Sequence, residues 1–255
     1  MKNFNSFINE ILEKQQQLNL GPDEECLFRG HSDAGYRLIP NIYRGKDYSL
    51  KNEESIFYEF RSKAVEIQNR SFSDWDVLFH MQHYGCKTRI LDWTDNLGTA
   101  LYFALSAYEK GKKPTVFLLN PFALNVCKTR HRDFYDPDHL DHKNGYSFRG
   151  MLQRQINEPE NTASGIWWKY PLAVYPVRKS GRLISQDGYF TIQGSDSDPL
   201  DVQIPEDENI WKKVEIPEEI IPGAFAYLKL FGINEFTMFP DLQNLSKFLN
   251  KKYNL

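Results

Sequence analysis

The sequence predicts an α+β fold in a single domain, with N-terminal helices followed by a bent mixed or antiparallel sheet. Three observations carry that expectation. Apolar residues recur at helical spacing in the first part of the chain, short apolar runs bounded by turn residues follow Thr115, and helical spacing returns at the end. Segregated helices and strands mark α+β rather than alternating α/β architecture. The chain has 255 residues, 41% hydrophobic and 25% charged, which is ordinary globular composition. With no internal repeat and no low-complexity linker, one domain over residues 1–255 is expected.

Phe4, Phe7, Ile8, Ile11 and Leu12 share one helical face, and Gly21-Pro22 ends that segment, so residues 1–22 form an N-terminal helix. Cys26, Leu27 and Phe28 read as a short strand. Ile56, Phe57, Phe60, Ala64 and Ile67 give the inward face of a helix over 51–68. Ser73 and Asp76 form a capping pair for a third helix, which Gly85 stops. A fourth helix starts near Asn96, with Gly111 as its C-terminal cap. Pro114 to Asn120 is a continuous apolar run, the pattern of a strand buried on both faces. Strands are also expected over 172–177, over 183–192 with a turn at Asp187-Gly188, and over 211–216. Residues 218–231 and 242–252 read as helical, 235–239 as extended, and 195–208 as an acidic exposed loop. Residues 133–165 have no period, so an irregular insert or a cover over a site is expected there.

The net charge of -3 gives no global attraction for nucleic acid or anionic lipid. A nucleic-acid acceptor would need a local basic patch, and Lys128, Arg130 and Arg132 lie in such a run, for which a solvated surface is the competing reading. The N-terminus lacks an apolar signal region and no stretch has the length of a membrane span, so a cytoplasmic protein without a membrane partner is expected. The 3 cysteines include no CxxC pair. His80 and His83 stand one helical turn apart and 136–142 is rich in Asp and His, yet a solvated helix face and loop account for both, and no metal is expected. Aromatic residues reach 15%, which suits a thick core better than a flat-walled pocket.

Two blocks bring reactive polar groups together. In Phe28-Arg29-Gly30-His31-Ser32 an arginine emerges from a short strand beside a glycine, where its fork can grip an anionic ligand. An arginine paired with a nearby carboxylate is the alternative. In His83-Tyr84-Gly85-Cys86-Lys87-Thr88-Arg89-Ile90-Leu91-Asp92-Trp93-Thr94, polar and apolar residues alternate closely, so the polar ones must find partners or serve a ligand. An internal Arg89–Asp92 network is the competing account.

Together with Tyr36-Arg37-Leu38-Ile39-Pro40, Arg44, Met81-Gln82-His83-Tyr84-Gly85, Ala100-Leu101-Tyr102-Phe103-Ala104 and Phe239-Pro240-Asp241-Leu242, these blocks resemble the bacterial FRG domain family from Phe28 to about Leu249. Lys87 stands where the family tends to have Pro, and Asn244 where Gly is common. A second resemblance, in the order of elements, is to ADP-ribosyltransferases. It implies that Arg29 and Gly30 hold NAD, that Thr94 takes the Ser/Thr position, and that Gln186 or Asp187 takes the place of the catalytic acid, the family's Glu being absent. Asp92 is a second candidate for the carboxylate. Tyr84 or Trp93 would face nicotinamide, with Thr88 and Arg89 completing the cofactor-binding set.

The resemblance therefore implies an ADP-ribosyltransferase-like fold, and an enzyme that consumes NAD as co-substrate and modifies a protein or nucleic-acid acceptor. A toxin or phage-defence effector, held in check by an inhibitor protein, would fit. A non-catalytic nucleotide- or ligand-sensing module and an NAD or nucleic-acid hydrolase remain the alternatives. Arg29, Arg89 and Asp92 are expected to share one site.

Overall fold

The computed structural model of the chain describes residues 3–45, 47–136, 148–150, 152, 170–175, 188–204, 206 and 209–254. The expected insert over 133–165 and the loop carrying Gln186 and Asp187 lie largely or wholly outside the described residues.

Helix α1 (Phe4–Gln16) starts at Asn3, whose side chain accepts from the Ser6 amide, and buries Phe7 and Ile11. A 3-10 turn (Asn41–Arg44) follows the first strand. Helices α2 (Leu50–Gln68), α3 (Asp74–His83) and α4 (Leu97–Ser106) come next. Ser73 and Asp76 cap α3 reciprocally, as their spacing requires. Later helices are α5 (Pro121–Thr129), α6 (Leu200–Gln203), α7 (Ile221–Leu230), α8 (Glu235–Met238) and α9 (Leu242–Tyr253).

Among the described residues six strands form one sheet: β1 (Leu27–His31), β2 (Ile90–Thr94), β3 (Thr115–Leu119), β4 (Leu172–Val174), β5 (Gly188–Ile192) and β6 (Trp211–Glu215). Their order is β4-β5-β2-β1-β3-β6 and each ladder is antiparallel. β1 and β3 pair from Leu27↔Leu119 to His31↔Thr115, and β2 and β5 from Ile90↔Ile192 to Thr94↔Gly188. Between β1 and β2 the pairing is confined to Phe28↔Thr94. Two well-laddered halves therefore meet at one point and part beyond it.

Three apolar clusters cover the sheet. Helices α1, α4 and α7 bury Phe7, Leu101 and Leu228 against Phe28, Val116 and Val214. Helices α2 and α3 set Phe57, Trp75 and Phe79 against Ile90, Phe190 and Ile192. Leu27, Leu91, Trp93, Phe117, Leu119 and Trp211 form the third cluster with Leu124 of α5. Complete burial of β3 fits its unbroken apolar run.

Several expectations need correction. Ile56 and Ile67 of α2 are exposed, whereas Glu53 is buried beside Phe57, because that core-facing position serves an ion pair. Gly111 does not cap α4; the helix ends at Ala107, and Gly111 sits in the following turn at φ +90°. Residues Glu235–Met238 are helical rather than extended, since Asn234 and Thr237 form a reciprocal cap. Helix α5 had no counterpart in the hydrophobic pattern, although Asn120 caps it and Pro121 opens it. The acidic stretch over 195–208 holds α6, whose Leu200 is buried.

Gly30 fixes the distance between α4 and β1. A Cβ there would lie 1.9 Å from the Ala100 carbonyl oxygen and 2.6 Å from the Ala104 nitrogen, both backbone atoms that cannot step aside. Gly30→Ala should therefore lower stability by about 3 kcal/mol or more, read as a fall in the urea midpoint at unchanged helix content.

Candidate functional site

Where β1 and β2 part, the chain encloses a cavity of about 710 Å³. Strand β1 contributes Arg29 and Gly30, the 3-10 turn Tyr43 and Arg44, β2 Asp92 and Thr94, α4 Phe103, and β5 Gly188 and Phe190. The position of Arg29 follows from the broken ladder. Its Nη1 donates to the Asp92 backbone oxygen, spanning the gap that strand pairing leaves open. Its Nε donates to His31 Nε2 at 3.0 Å. For that nitrogen to accept, the imidazole proton must sit on Nδ1, which faces the Tyr36 carbonyl oxygen at 3.3 Å.

His31 is accordingly neutral. Burial, and then the adjacent Arg29 charge, push its pKa down to about 3. Burial also lowers Arg29 to about 10, with Asp92 opposing and Arg44 adding to the fall, so the guanidinium stays charged at neutral pH.

Asp92 reaches the cavity under control from behind. Gln82 Nε2 donates to Asp92 Oδ2 at 2.8 Å, Thr88 Oγ1 donates to Gln82 Oε1 at 2.5 Å, and the Ile90 amide donates to Thr88 Oγ1 at 3.2 Å. This chain of bonds fixes one carboxylate oxygen. Tyr36, Tyr43, Phe103 and Phe190 supply aromatic wall. Cationic groups, a carboxylate and flat apolar faces in one concavity suit a ligand that is itself anionic, hydroxylated and aromatic.

The structure brings Arg29, Gly30, Asp92, Trp93 and Thr94 to the cavity. The Trp93 indole nevertheless packs in the core and donates to Thr191 Oγ1 at 3.0 Å. Thr88 acts through Gln82 rather than at the cavity surface. Tyr84 is 64% exposed at the end of α3 and is not among the lining residues. Arg89 is fully buried away from the lining; its Nε and Nη2 each lie 2.6 Å from a Glu53 carboxylate oxygen. Burial alone would lower the Arg89 pKa, but the Glu53 charge reverses that and holds the guanidinium protonated. Gln186 and Asp187 are outside the described residues, while Gly188, which follows them, lines the cavity. In the basic run, Arg132 binds Glu24 at 2.5 and 2.7 Å, Arg130 is the exposed left-handed cap of α5, and the Lys128 side chain is outside the description.

His31, Tyr36, Tyr43, Arg44, Gln82 and Phe103 also shape the site, although sequence reasoning gave them no role. Tyr36, Arg44, Gln82 and Phe103 belong to the blocks that carry the FRG resemblance, and that shared pattern was the available signal. Among the described residues no three His, Cys, Asp or Glu side chains cluster as a metal site, and no helix is long and apolar enough to cross a membrane.

The FRG domain family model matches residues 24–113. That stretch holds every described residue of the cavity lining except Gly188 and Phe190. The Phe239-Pro240-Asp241-Leu242 block lies beyond it. No curated protein and no solved structure matches the chain.

Two groups make the site's supports measurable. Glu53→Gln leaves Arg89 charged and buried without its counter-ion, which should cost about 3–5 kcal/mol of stability in urea denaturation. Above pH 6.5 His31 is neutral in both folded and unfolded chains. As pH falls from about 6.5 toward 3, the unfolded chain takes up a proton that the fold refuses, so stability declines with acid. By pH 4.5 the loss from this group should reach about 2–3 kcal/mol, and His31→Gln should remove that share when denaturation is compared at pH 7 and 4.5.

Proposed function

We propose, starting from the match of the FRG domain family model to residues 24–113, that the cavity binds NAD and that the protein transfers ADP-ribose to a macromolecular acceptor, a protein or a nucleic acid. The observation that carries this reading is the meeting of β1, β2 and β5 at one cavity. Arg29, Thr94 and Gly188 are far apart in the chain, yet all line it. The resemblance to ADP-ribosyltransferases rests on these elements in chain order: the Arg29-Gly30 strand, the Thr94 strand end before α4, and the late strand β5.

The reaction breaks the bond between nicotinamide and ribose, and the bonding pair leaves with neutral nicotinamide. Leaving-group protonation is unnecessary, so the protein's work is to hold the ribose and stabilise positive charge at the anomeric carbon until an acceptor nucleophile attacks and releases its proton. Arg29 clamps the diphosphate, and Tyr36 or Phe103 offers a flat face to a ring. Asp92 supplies negative charge, with Gln186 or Asp187 as the candidates for orienting ribose and acceptor. A cytoplasmic effector whose activity is curbed by an inhibitor protein is the setting that such chemistry suits.

Arg29→Ala should weaken NAD binding or turnover by about 2–5 kcal/mol, with Arg29→Lys recovering part because a point charge cannot reproduce the fork. Stability should fall by only about 1–2 kcal/mol, since Arg29 donates to neutral acceptors and leaves no buried charge behind. Calorimetry, nicotinamide release and melting on the three proteins check this together. NAD binding without nicotinamide release in the presence of protein, DNA or RNA acceptors would favour the sensing module. Absence of both nicotinamide release and NAD binding would end the transferase reading and leave a non-catalytic nucleotide- or ligand-sensing module as the better account.

A further inference from the structure

Arg29, Arg37 and Arg44 all line the cavity. They differ in what neutralises them. Arg37 Nη1 lies 2.9 Å from Asp201 Oδ2, and Asp201 Oδ1 also accepts from the Leu38 amide at 2.8 Å, so that charge is balanced within the chain. Among the described residues, neither Arg29 nor Arg44 has a carboxylate within ion-pair distance. Arg29 uses Nε and Nη1 on His31 and the Asp92 backbone. Arg44 uses Nε on the Ile39 carbonyl oxygen at 3.0 Å. Nη2 of Arg29 and both terminal nitrogens of Arg44 keep N–H groups with no protein acceptor among the described residues.

Among the described residues the lining contains one carboxylate, Asp92, to set against these two cations. The two charges also act on each other, since Arg44 contributes to the lowered pKa of Arg29. A cavity with excess positive charge and unspent donor forks is stabilised by an anion that bridges both. Arg44 is held for that purpose. It ends the 3-10 turn Asn41–Arg44, whose Ile42 amide donates to the Thr88 carbonyl oxygen at 3.3 Å and whose Tyr43 hydroxyl donates to the Gly194 carbonyl oxygen at 3.3 Å. The turn is thereby tied to the elements flanking β2 and β5.

We infer that Arg29 and Arg44 form a two-arginine clamp for a diphosphate, one guanidinium to each phosphoryl group, so that the site selects nucleoside diphosphates and dinucleotides over monophosphates. The clamp deepens the NAD reading and rests on it for the nucleoside part of the ligand; the diphosphate part rests on the two arginines alone.

The test is calorimetric titration of the whole chain with ADP, AMP and inorganic diphosphate, for wild type, Arg44→Gln and Arg44→Lys, with melting curves to establish that each variant is folded. Wild type should bind ADP about tenfold more tightly than AMP. Arg44→Gln should bring ADP to within about twofold of AMP, and Arg44→Lys should restore part of the preference. Equal wild-type affinity for ADP and AMP, or an ADP preference that survives Arg44→Gln in a folded variant, would overturn the clamp. Arg44-dependent binding of inorganic diphosphate without any gain from adenosine or NAD would keep the clamp and remove the NAD reading. NAD binding that ignores Arg44→Gln would do the reverse.

Discussion

The structure depends on a sheet that is continuous at one residue pair and open beyond it. β1 is laddered along its whole length to β3, and β2 along its whole length to β5, but the two strands join only at Phe28↔Thr94. Backbone groups exposed by such a parting need partners. The Arg29 guanidinium supplies one by donating to the Asp92 carbonyl oxygen. A side chain that closes a gap between strands is necessarily at the gap, so the residue that reconciles the two halves also faces the cavity. Neutral His31 completes this arrangement, because a protonated imidazole could not accept from Arg29.

Behind the opening, the polar residues divide into those that act on the cavity and those that hold its walls. Arg89 and Glu53 form a buried bidentate pair, and Tyr48 adds a hydrogen bond to Glu53 at 2.9 Å. Arg89 also faces the Gly194 carbonyl oxygen at 3.3 Å, the same oxygen to which Tyr43 donates. One network thus joins α2, the end of β2, the chain after β5 and the turn that carries Arg44. Buried ion pairs are weak sources of net stability but strict about geometry once formed. Here that geometry fixes a cavity wall to which Tyr43 and Arg44 belong.

Much of this was legible in the sequence. Capping residues located α3, the apolar run located β3, and the Arg-Gly strand end located the cavity, because each is a local rule with a local cause. Gly30 stood in the sequence only as the partner of Arg29 in a ligand-gripping pair; its close approach to α4 depends on tertiary packing that no local pattern encodes. Arg89 and Arg29 are both arginines beside strands, and composition alone cannot separate a cation that meets its carboxylate inside the fold from one that does not. That distinction depends on Glu53, thirty-six positions away in the chain, which shares the Phe57 face of α2 but, being charged, gives no core signal in a hydrophobic pattern. Tyr43 and Arg44 gave no chemical signal, since their role arises from a turn being carried across the split by tertiary contacts. Tyr84 illustrates the opposite error: an aromatic inside the motif whose position at a helix end leaves it in solvent.

If the parting of β1 and β2 is the ligand site, a crystal structure of the chain soaked with NAD will show the dinucleotide in the cavity, with its diphosphate between the Arg29 and Arg44 guanidinium groups and a ring against Tyr36 or Phe103. NAD bound at another surface, or a diphosphate turned away from both arginines, would contradict it.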